Sequence, residues 1–254
     1  MYGALEAGWV RLRTLELRID GLPAELDGVR IAHLSDFHLG PPSLGERATA
    51  RAVGWVAERR PDLVCITGDL VSRGRGEARL GRLLDRLPEA TYVVLGNHDF
   101  AISRDPFSQP TQLVELTRGR LLSDESIEAQ LRGVRVEIAG VDPRSWIESR
   151  ASGFGPGEAS FRLLLCHFPR VLDRAEEGRW NLILSGHLHA GQIVLPYGLR
   201  KRLLLAHPRS DYRYGVYRRG TTAMHVSPGL GTTFVPFRFF ARPEATELVL
   251  RSGG

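Results

Sequence analysis

Cysteine, lysine and long apolar runs are scarce in this chain of 254 residues. The two cysteines, Cys65 and Cys166, each lie inside an apolar run, so we expect buried structural thiols and neither a disulfide framework nor a thiolate metal site. No stretch approaches the roughly 18 uninterrupted apolar residues of a spanning helix, and the first residues do not resemble a signal peptide. These absences predict a cytoplasmic protein that is, at most, peripheral on the inner face of the membrane.

Lysine is nearly replaced by arginine, since Lys201 is the only lysine among 34 basic residues. The formal net charge is +5, and the arginines are spread along the chain rather than clustered. We therefore attribute the bias mainly to codon usage, although arginine also binds phosphate through its planar fork. No long basic stripe indicates a nucleic-acid partner. The sequence does not indicate an oligomeric state.

Hydrophobic residues make up 43% and charged residues 25%, as in an ordinary globular protein. Apolar patterns predict strands at 9–18, 29–34, 63–67 and 91–95, with helices at 44–60 and 77–87. This alternation is typical of a parallel sheet with covering helices. Further strands are predicted at 134–139, 161–166, 181–185, 192–195, 212–218, 222–227 and 245–250. Without a repeat or linker, we expect one α/β domain over residues 1–254, with two sheets packed face to face and helices outside.

Polar side chains directly follow five of the predicted strands. They are Asp36, Asp69, Asn97, His167 and His187. The carboxyl ends of strands in open α/β sheets face one crevice, where ligands bind. Burying so many polar groups is costly without a compensating partner. A metal cluster is such a partner.

The spacing explains how these residues could hold two cations. Asp36 and His38 are two positions apart, as are His187 and His189, so an extended backbone directs each pair the same way. The two oxygens of Asp69 can bridge two ions. We assign Asp36, His38 and His189 to one metal, and Asn97, His167 and His187 to the other. This mixed nitrogen and oxygen set suits Mn²⁺ first, with Fe or Zn²⁺ as alternatives.

Two cations about 3.5–4 Å apart can clamp a phosphoryl group, activate a water and stabilise in-line displacement. The leaving group then requires a proton. His98 follows Asn97 and has no metal to bind in this scheme, so we expect it to be the general acid. Asp99 is adjacent, and the sequence leaves open whether it orients His98.

The ordered set Asp36-x-His38, Gly68-Asp69, Gly96-Asn97-His98-Asp99, His167 and Gly186-His187-x-His189 resembles the calcineurin-like metallophosphoesterase superfamily. The resemblance spans residues 36–189. It implies a four-layer α/β/β/α sandwich of two mixed sheets flanked by helices, a binuclear metal site with these ligands, and His98 as proton donor.

Residues 31–40, 186–196 and 227–231 resemble the bacterial YaeI/YkuE-type phosphodiesterases. Related enzymes act on lipid-linked pyrophosphates such as UDP-diacylglucosamine. That branch usually has Gly-His-Thr-His-Gly-Gly, whereas Leu188 and Ala190 occur here. The Ser/Thr protein phosphatases carry an aspartate that supports the general acid where this chain has Ser72. Arg73 then stands where a phosphate-binding arginine would lie, although an exposed loop arginine explains it equally well.

We therefore predict a phosphodiesterase or pyrophosphohydrolase with a phosphoester substrate. The more specific prediction is that this substrate is lipid-linked. The alternatives are a nuclease or nucleotide phosphodiesterase with the same metals, and an inactive scaffold. The aromatic and arginine-containing stretch 234–242 suggests contact with lipid headgroups, and a packed loop is the alternative. We interpret His33, His207 and His225 as structural or surface residues.

Overall fold

The computed structural model of the protein describes residues 2–100, 105–106, 116–147, 159–197, 201–204 and 210–253. The helices are α1 (Tyr2–Gly8), α2 (Glu46–Arg59), α3 (Glu77–Leu84) and α4 (Val171–Arg174). The strands are β1 (Arg11–Asp20), β2 (Arg30–Leu34), β3 (Leu63–Thr67), β4 (Thr91–Val94), β5 (Arg120–Leu121), β6 (Glu125–Leu131), β7 (Val134–Val141), β8 (Phe161–Cys166), β9 (Leu182–Ser185), β10 (Val194–Tyr197), β11 (Lys201–Leu204), β12 (Gly215–Arg219), β13 (Thr222–Val226) and β14 (Glu244–Gly253).

The first sheet has the strand order β1-β14-β2-β3-β4-β5. The strands β2, β3, β4 and β5 are parallel, as the alternation of strands and helices predicted. The C-terminal strand β14 is inserted between β1 and β2, parallel to β1 and antiparallel to β2. This sheet is therefore mixed, and its parallel centre aligns the carboxyl ends of β2, β3 and β4.

The second sheet has the order β12-β13-β9-β8-β7-β6. Its central strands β13, β9, β8 and β7 are parallel, whereas the edge strands β12 and β6 pair antiparallel with their neighbours. A separate hairpin joins β10 and β11. The parallel centre aligns the carboxyl ends of β8 and β9 at one edge.

Three apolar cores define four layers. One core lies between α2, α3 and the first sheet, and it includes Ala52, Val56 and Leu80. A second core contains side chains from both sheets, such as Ile31 and Leu163. The third core packs α4 and the following loop onto the outer face of the second sheet. The predicted α/β/β/α sandwich of two mixed sheets is thus confirmed.

Element boundaries follow local chemistry. Helix α2 begins at Glu46, whose negative charge interacts favourably with the helix dipole. Its C-cap residue, Arg60, adopts a left-handed conformation with φ 48° directly before Pro61. Predicted and observed strands agree closely at 63–67 and 161–166. The predicted helix 77–87 ends earlier, at Leu84, and the predicted strand 212–218 begins only at Gly215. The elements α1, α4, β5, β6 and β11 were not predicted from the sequence. Among the described residues, no helix is long and apolar enough to cross a membrane.

Candidate metal centre

The candidate site forms where the two sheets present the carboxyl ends of their parallel strands. The loop after β2 carries Asp36 and His38, and the loop after β3 carries Asp69. Backbone hydrogen bonds fasten these two loops together. The N–H of Asp36 donates to the carbonyl of Gly68 at 2.9 Å, and the N–H of His38 donates to the carbonyl of Asp69 at 2.9 Å. The second sheet contributes His167 after β8 and the 187–189 turn after β9.

Glycine is required where these loops approach each other. A Cβ on Gly96 would collide with the Asp69 carboxylate, and one on Gly186 would collide with Ser35 and Asp36. These contacts give the physical reason for the glycines that precede Asn97 and His187 in the sequence motifs.

Backbone strain concentrates at the same loops. Positive φ angles occur at Asp36 (54°), His38 (46°), Asp69 (54°), His187 (78°) and His189 (49°). Non-glycine residues rarely adopt this region, and such strain clusters at functional sites because surrounding contacts hold it. These residues lie in turns, where side chains do not alternate as they do along a strand. The pairs Asp36-x-His38 and His187-x-His189 therefore come together, but not through the extended backbone that their spacing suggested.

Two groups of metal-competent atoms share one carboxylate. Potential ligand atoms of Asp36, His38, Asp69 and His189 lie within 4.8 Å of one another, as do those of Asp69, His167 and His187. All of these side chains except the half-buried His187 are buried. Asp69 Oδ2 lies 3.5 Å from Nε2 of His38 and 3.2 Å from Nε2 of His167. Asp69 therefore lies within reach of both groups.

The outer members complete each group. Nε2 of His189 lies 3.1 Å from Nε2 of His38 and 3.4 Å from Oδ1 of Asp36. In the other group, Asn97 Oδ1 and His187 Nδ1 lie 3.1 Å and 3.2 Å from Nε2 of His167. The structure thus brings together all seven residues that the sequence singled out.

The electrostatics of the site favour positive charge between these oxygens. Burial alone would lower the pKa of His167, but Asp69 and Asp36 outweigh it and raise the pKa to about 9. Burial raises the pKa of Asp36 to about 7, assisted by the nearby charge of Asp69. Burial would also raise the pKa of Asp69, but His167 and other nearby histidines hold that pKa well below the usual range.

Hydrogen bonds outside the cluster orient two of the histidines. Nδ1 of His167 donates to the carbonyl of Thr67 at 2.7 Å, which leaves Nε2 facing Asp69 and Asn97. Nδ1 of His38 lies 2.9 Å from the hydroxyl of Ser72. The sequence reasoning treated Ser72 only as a missing aspartate, whereas its hydroxyl contacts a candidate ligand.

Arg238 is the largest departure from the sequence interpretation. We grouped it with the arginines of a lipid-contacting stretch, but it is fully buried. Its guanidinium donates to Nδ1 of His189 at 3.0 Å and to the carbonyls of Pro228, Gly231 and Ala241 at 2.8, 2.9 and 3.0 Å. The three carbonyls belong to the same loop between β13 and β14 as Arg238, whereas His189 follows β9 and lies 49 positions away, so no local motif predicts that contact.

The candidate general acid lies beside the cluster. His98 is buried, its ring packs edge-to-face on His38 with centroids 4.6 Å apart, and its backbone N–H donates to Asp69 Oδ1 at 2.8 Å. Asp99 accepts backbone N–H groups of Leu70, Val71 and Gly96, so it ties the β3 loop to the β4 loop.

The half-buried Arg73 follows Ser72, and its backbone borders Gly40. It therefore lies next to the loop that holds His38. Whether it contacts phosphate stays a prediction.

The donor set fits divalent metal ions. The carboxylates of Asp69 and Asp36 raise the pKa of His167, so positive charge is stabilised at this position, and a metal cation would supply such charge. The buried thiols Cys65 and Cys166 are not among the clustered donors, and burial raises the pKa of Cys166 to about 12. Nitrogen and oxygen donors without thiolate suit Mn²⁺, Fe or Zn²⁺.

Comparison with known proteins agrees with this geometry. A family model described as calcineurin-like phosphoesterase matches residues 29–191. Two Bacillus subtilis proteins named as uncharacterised metallophosphoesterases are similar to the chain. YkoQ is 29% identical, covering 93% of this chain and 89% of its own length, and YkuE is 30% identical, covering 91% and 82%.

A third relative is longer. The bovine protein named transmembrane protein with metallophosphoesterase domain is 32% identical over 94% of this chain, which spans 56% of that protein. The matched segment contains all seven clustered residues, and the predicted resemblance to the YkuE-type branch is confirmed. The chain belongs to the calcineurin-like phosphoesterase family and is a metal-dependent phosphoester hydrolase.

Proposed function

We propose that the protein is a two-metal phosphodiesterase or pyrophosphohydrolase, with Mn²⁺ as the preferred ion. Asp36, His38, Asp69 and His189 would hold one ion, and Asp69, Asn97, His167 and His187 the other. The observation that carries this proposal is the position of Asp69, whose Oδ2 lies 3.5 Å from Nε2 of His38 in one group and 3.2 Å from Nε2 of His167 in the other. The ions, when bound, would neutralise phosphoryl charge and provide an activated water.

The chain's own residues would complete the reaction. His98 would donate a proton to the leaving oxygen, since its ring packs against His38 at the edge of the cluster. Arg73 would contact the phosphoryl group through its planar fork. Removal of the His98 proton donor should slow turnover by about 10²–10⁴-fold while the ions stay bound.

A direct experiment is hydrolysis of bis-p-nitrophenyl phosphate with added Mn²⁺, before and after chelation, together with elemental analysis of the protein. We expect activity to require the metal. We expect His98→Ala to retain metal but lose turnover, with a smaller loss on bis-p-nitrophenyl phosphate than on diphenyl phosphate, whose leaving group is more basic. Asp173→Ala is a matched control because that side chain is exposed on α4. Activity that survives complete chelation would contradict the proposal, and so would loss of metal in His98→Ala.

We further propose an amphiphilic, lipid-linked substrate that is met at a membrane surface. The stretch 234–242 exposes three aromatic rings, with Phe234 49%, Phe237 38% and Phe240 53% accessible. Helix α1 extends this apolar surface, because the Tyr2 ring lies 5.4 Å from the Phe239 ring and Leu5 is 67% exposed. Exposed aromatic and apolar side chains of this kind bind the lipid headgroup region.

A groove of about 580 Å³ adjoins the same surface. Tyr214 and Phe240 line it together with Arg213 and Arg242, so both apolar and anionic groups could bind there. Ala190, which directly follows the candidate ligand His189, forms another part of its wall. A groove with both apolar and basic lining beside the metal-site loop supports the proposal of an amphiphilic substrate.

Vesicle flotation tests this part of the proposal separately from catalysis. We expect binding to anionic vesicles that weakens with salt and falls in the Phe237→Ser/Phe240→Ser variant. Ile147→Ser is the control, since Ile147 is 56% exposed and its carbonyl accepts a hydrogen bond from Arg174 of α4. If the protein binds none of the vesicles yet cleaves short soluble nucleotides efficiently, the result would favour the alternative function of a nucleotide phosphodiesterase.

A further inference from the structure

The ring of His98 has a carboxylate neighbour that the sequence pattern did not reveal. Asp105 lies seven residues further along the chain, and its Oδ2 is 3.9 Å from Nδ1 of His98. Both side chains are buried, at 5% and 2% exposure. Because burial weakens screening by water, the attraction between a carboxylate and an imidazole at this distance is stronger here than it would be at the surface.

Two hydrogen bonds fix the position of that carboxylate. The hydroxyl of Thr233 donates to Asp105 Oδ2 at 2.7 Å, and the backbone N–H of Phe234 donates to the same oxygen at 2.9 Å. The Thr233 hydroxyl also lies 3.5 Å from Nε2 of His98. The loop after β13 therefore holds the Asp105 carboxylate beside the ring nitrogens of His98.

Asp99, although adjacent to His98, is engaged elsewhere through backbone N–H groups of Leu70, Val71 and Gly96. Asp105 is thus the braced carboxylate that faces Nδ1. The distance exceeds that of a hydrogen bond, and such catalytic contacts commonly shorten only when substrate is bound.

We propose that Asp105 is the positioning residue for His98, with Thr233 as its anchor. Asp105 would accept the Nδ1 hydrogen and so direct Nε2 toward the leaving oxygen. The proton then passes from Nε2 to the leaving alkoxide or phenoxide, and solvent returns a proton to His98. The inference rests on the proposed role of His98 as general acid.

The test compares substrates whose leaving groups differ in their need for a proton. Bis-p-nitrophenyl phosphate releases a weakly basic phenolate, whereas diphenyl phosphate releases a more basic one. With Mn²⁺-loaded protein, we expect Asp105→Asn to lower kcat for diphenyl phosphate about 10-fold or more, as part of the total general-acid effect. The loss on bis-p-nitrophenyl phosphate should be smaller, and KM and metal content should stay unchanged.

A double variant separates positioning from a general structural effect. If Asp105 acts through His98, Asp105→Asn should add little to the loss already caused by His98→Ala. Asp173→Asn serves as the carboxylate control on the exposed face of α4. Additive losses, or equal losses on both substrates, would overturn the inference.

A second pair of variants keeps the question decidable if Asp105→Asn does not fold. Thr233→Val removes one donor from Asp105, whereas Thr233→Ser retains the hydroxyl. We expect Thr233→Val to show a loss of kcat that depends on the leaving group, and Thr233→Ser to retain turnover. If Thr233→Val and Asp105→Asn both show wild-type rates while His98→Ala is impaired, the inference about Asp105 is refuted and the proposed role of His98 stands. If His98→Ala itself shows no dependence on the leaving group, the proposed acid has failed instead.

Discussion

Replacement of Arg238 by leucine removes a cation that lies wholly inside the protein. Its guanidinium donates to four well-placed acceptors at 2.8–3.0 Å, of which three are backbone carbonyls and one is Nδ1 of His189. Burial lowers the pKa of Arg238 to about 10 against the raising effects of Asp36 and Glu6, so the arginine stays charged at neutral pH.

The expected loss follows from these contacts. A buried acceptor that loses its partner costs about 1–3 kcal/mol, and relief of the arginine's own desolvation offsets part of the sum. We therefore expect Arg238→Leu to lower the free energy of unfolding by about 3–5 kcal/mol. For a chain of this size, that corresponds to a fall in Tm of about 6–20 °C. Metal retention should also weaken, since His189 loses its support.

Arg242→Leu is the matched control from the same segment. Arg242 is only half-buried, stacks over the Trp9 ring at 3.9 Å and donates to the Trp9 carbonyl at 3.2 Å. Its replacement should cost about 1 kcal/mol or less. Thermal and denaturant unfolding of both variants, with and without chelator, measures the difference. Equal stability of the two variants would refute the view that Arg238 is a buried structural cation.

Three further outcomes are expected. Asp69→Ala removes the carboxylate shared by both groups, so elemental analysis should find metal content falling from about two ions per chain to nearly none; retention of both ions would exclude Asp69 as the bridge. Gly96→Ala places a Cβ against the Asp69 carboxylate and should cost metal and stability, whereas Gly8→Ala, with nothing within 4 Å, should cost neither. Burial lowers the pKa of His225 to about 3 and that of His33 well below 6.5, so unfolding favours protonation. Stability of the chelated protein should therefore fall as pH drops from about 6.5 toward 3, by up to about 1.4 kcal/mol per pH unit for each histidine. Urea unfolding at several pH values checks this, and a shallower slope in His225→Asn is expected; an unchanged slope would contradict the assignment.

The sequence alone determined the parallel centre of the first sheet and the residues that meet at its edge. Apolar runs such as 63–67 are followed directly by Asp69, and strand ends of a parallel sheet share one edge, so local pattern was sufficient. The interpretation of His33 and His225 as structural was also sound, since they are buried and contact each other at 2.8 Å. His207 lies outside the described residues, and the extent of the single domain stays a prediction.

Only the tertiary structure decided which distant residues support the site. Arg238 meets His189 across 49 positions and Thr233 meets Asp105 across 128 positions. Neither contact has a periodic signature, because its two residues lie in loops that are far apart in the sequence. The positive φ angles at Asp36 and His189 likewise depend on loops held together by long-range hydrogen bonds. Local propensity favours other conformations at these positions, and the packed sheets override it.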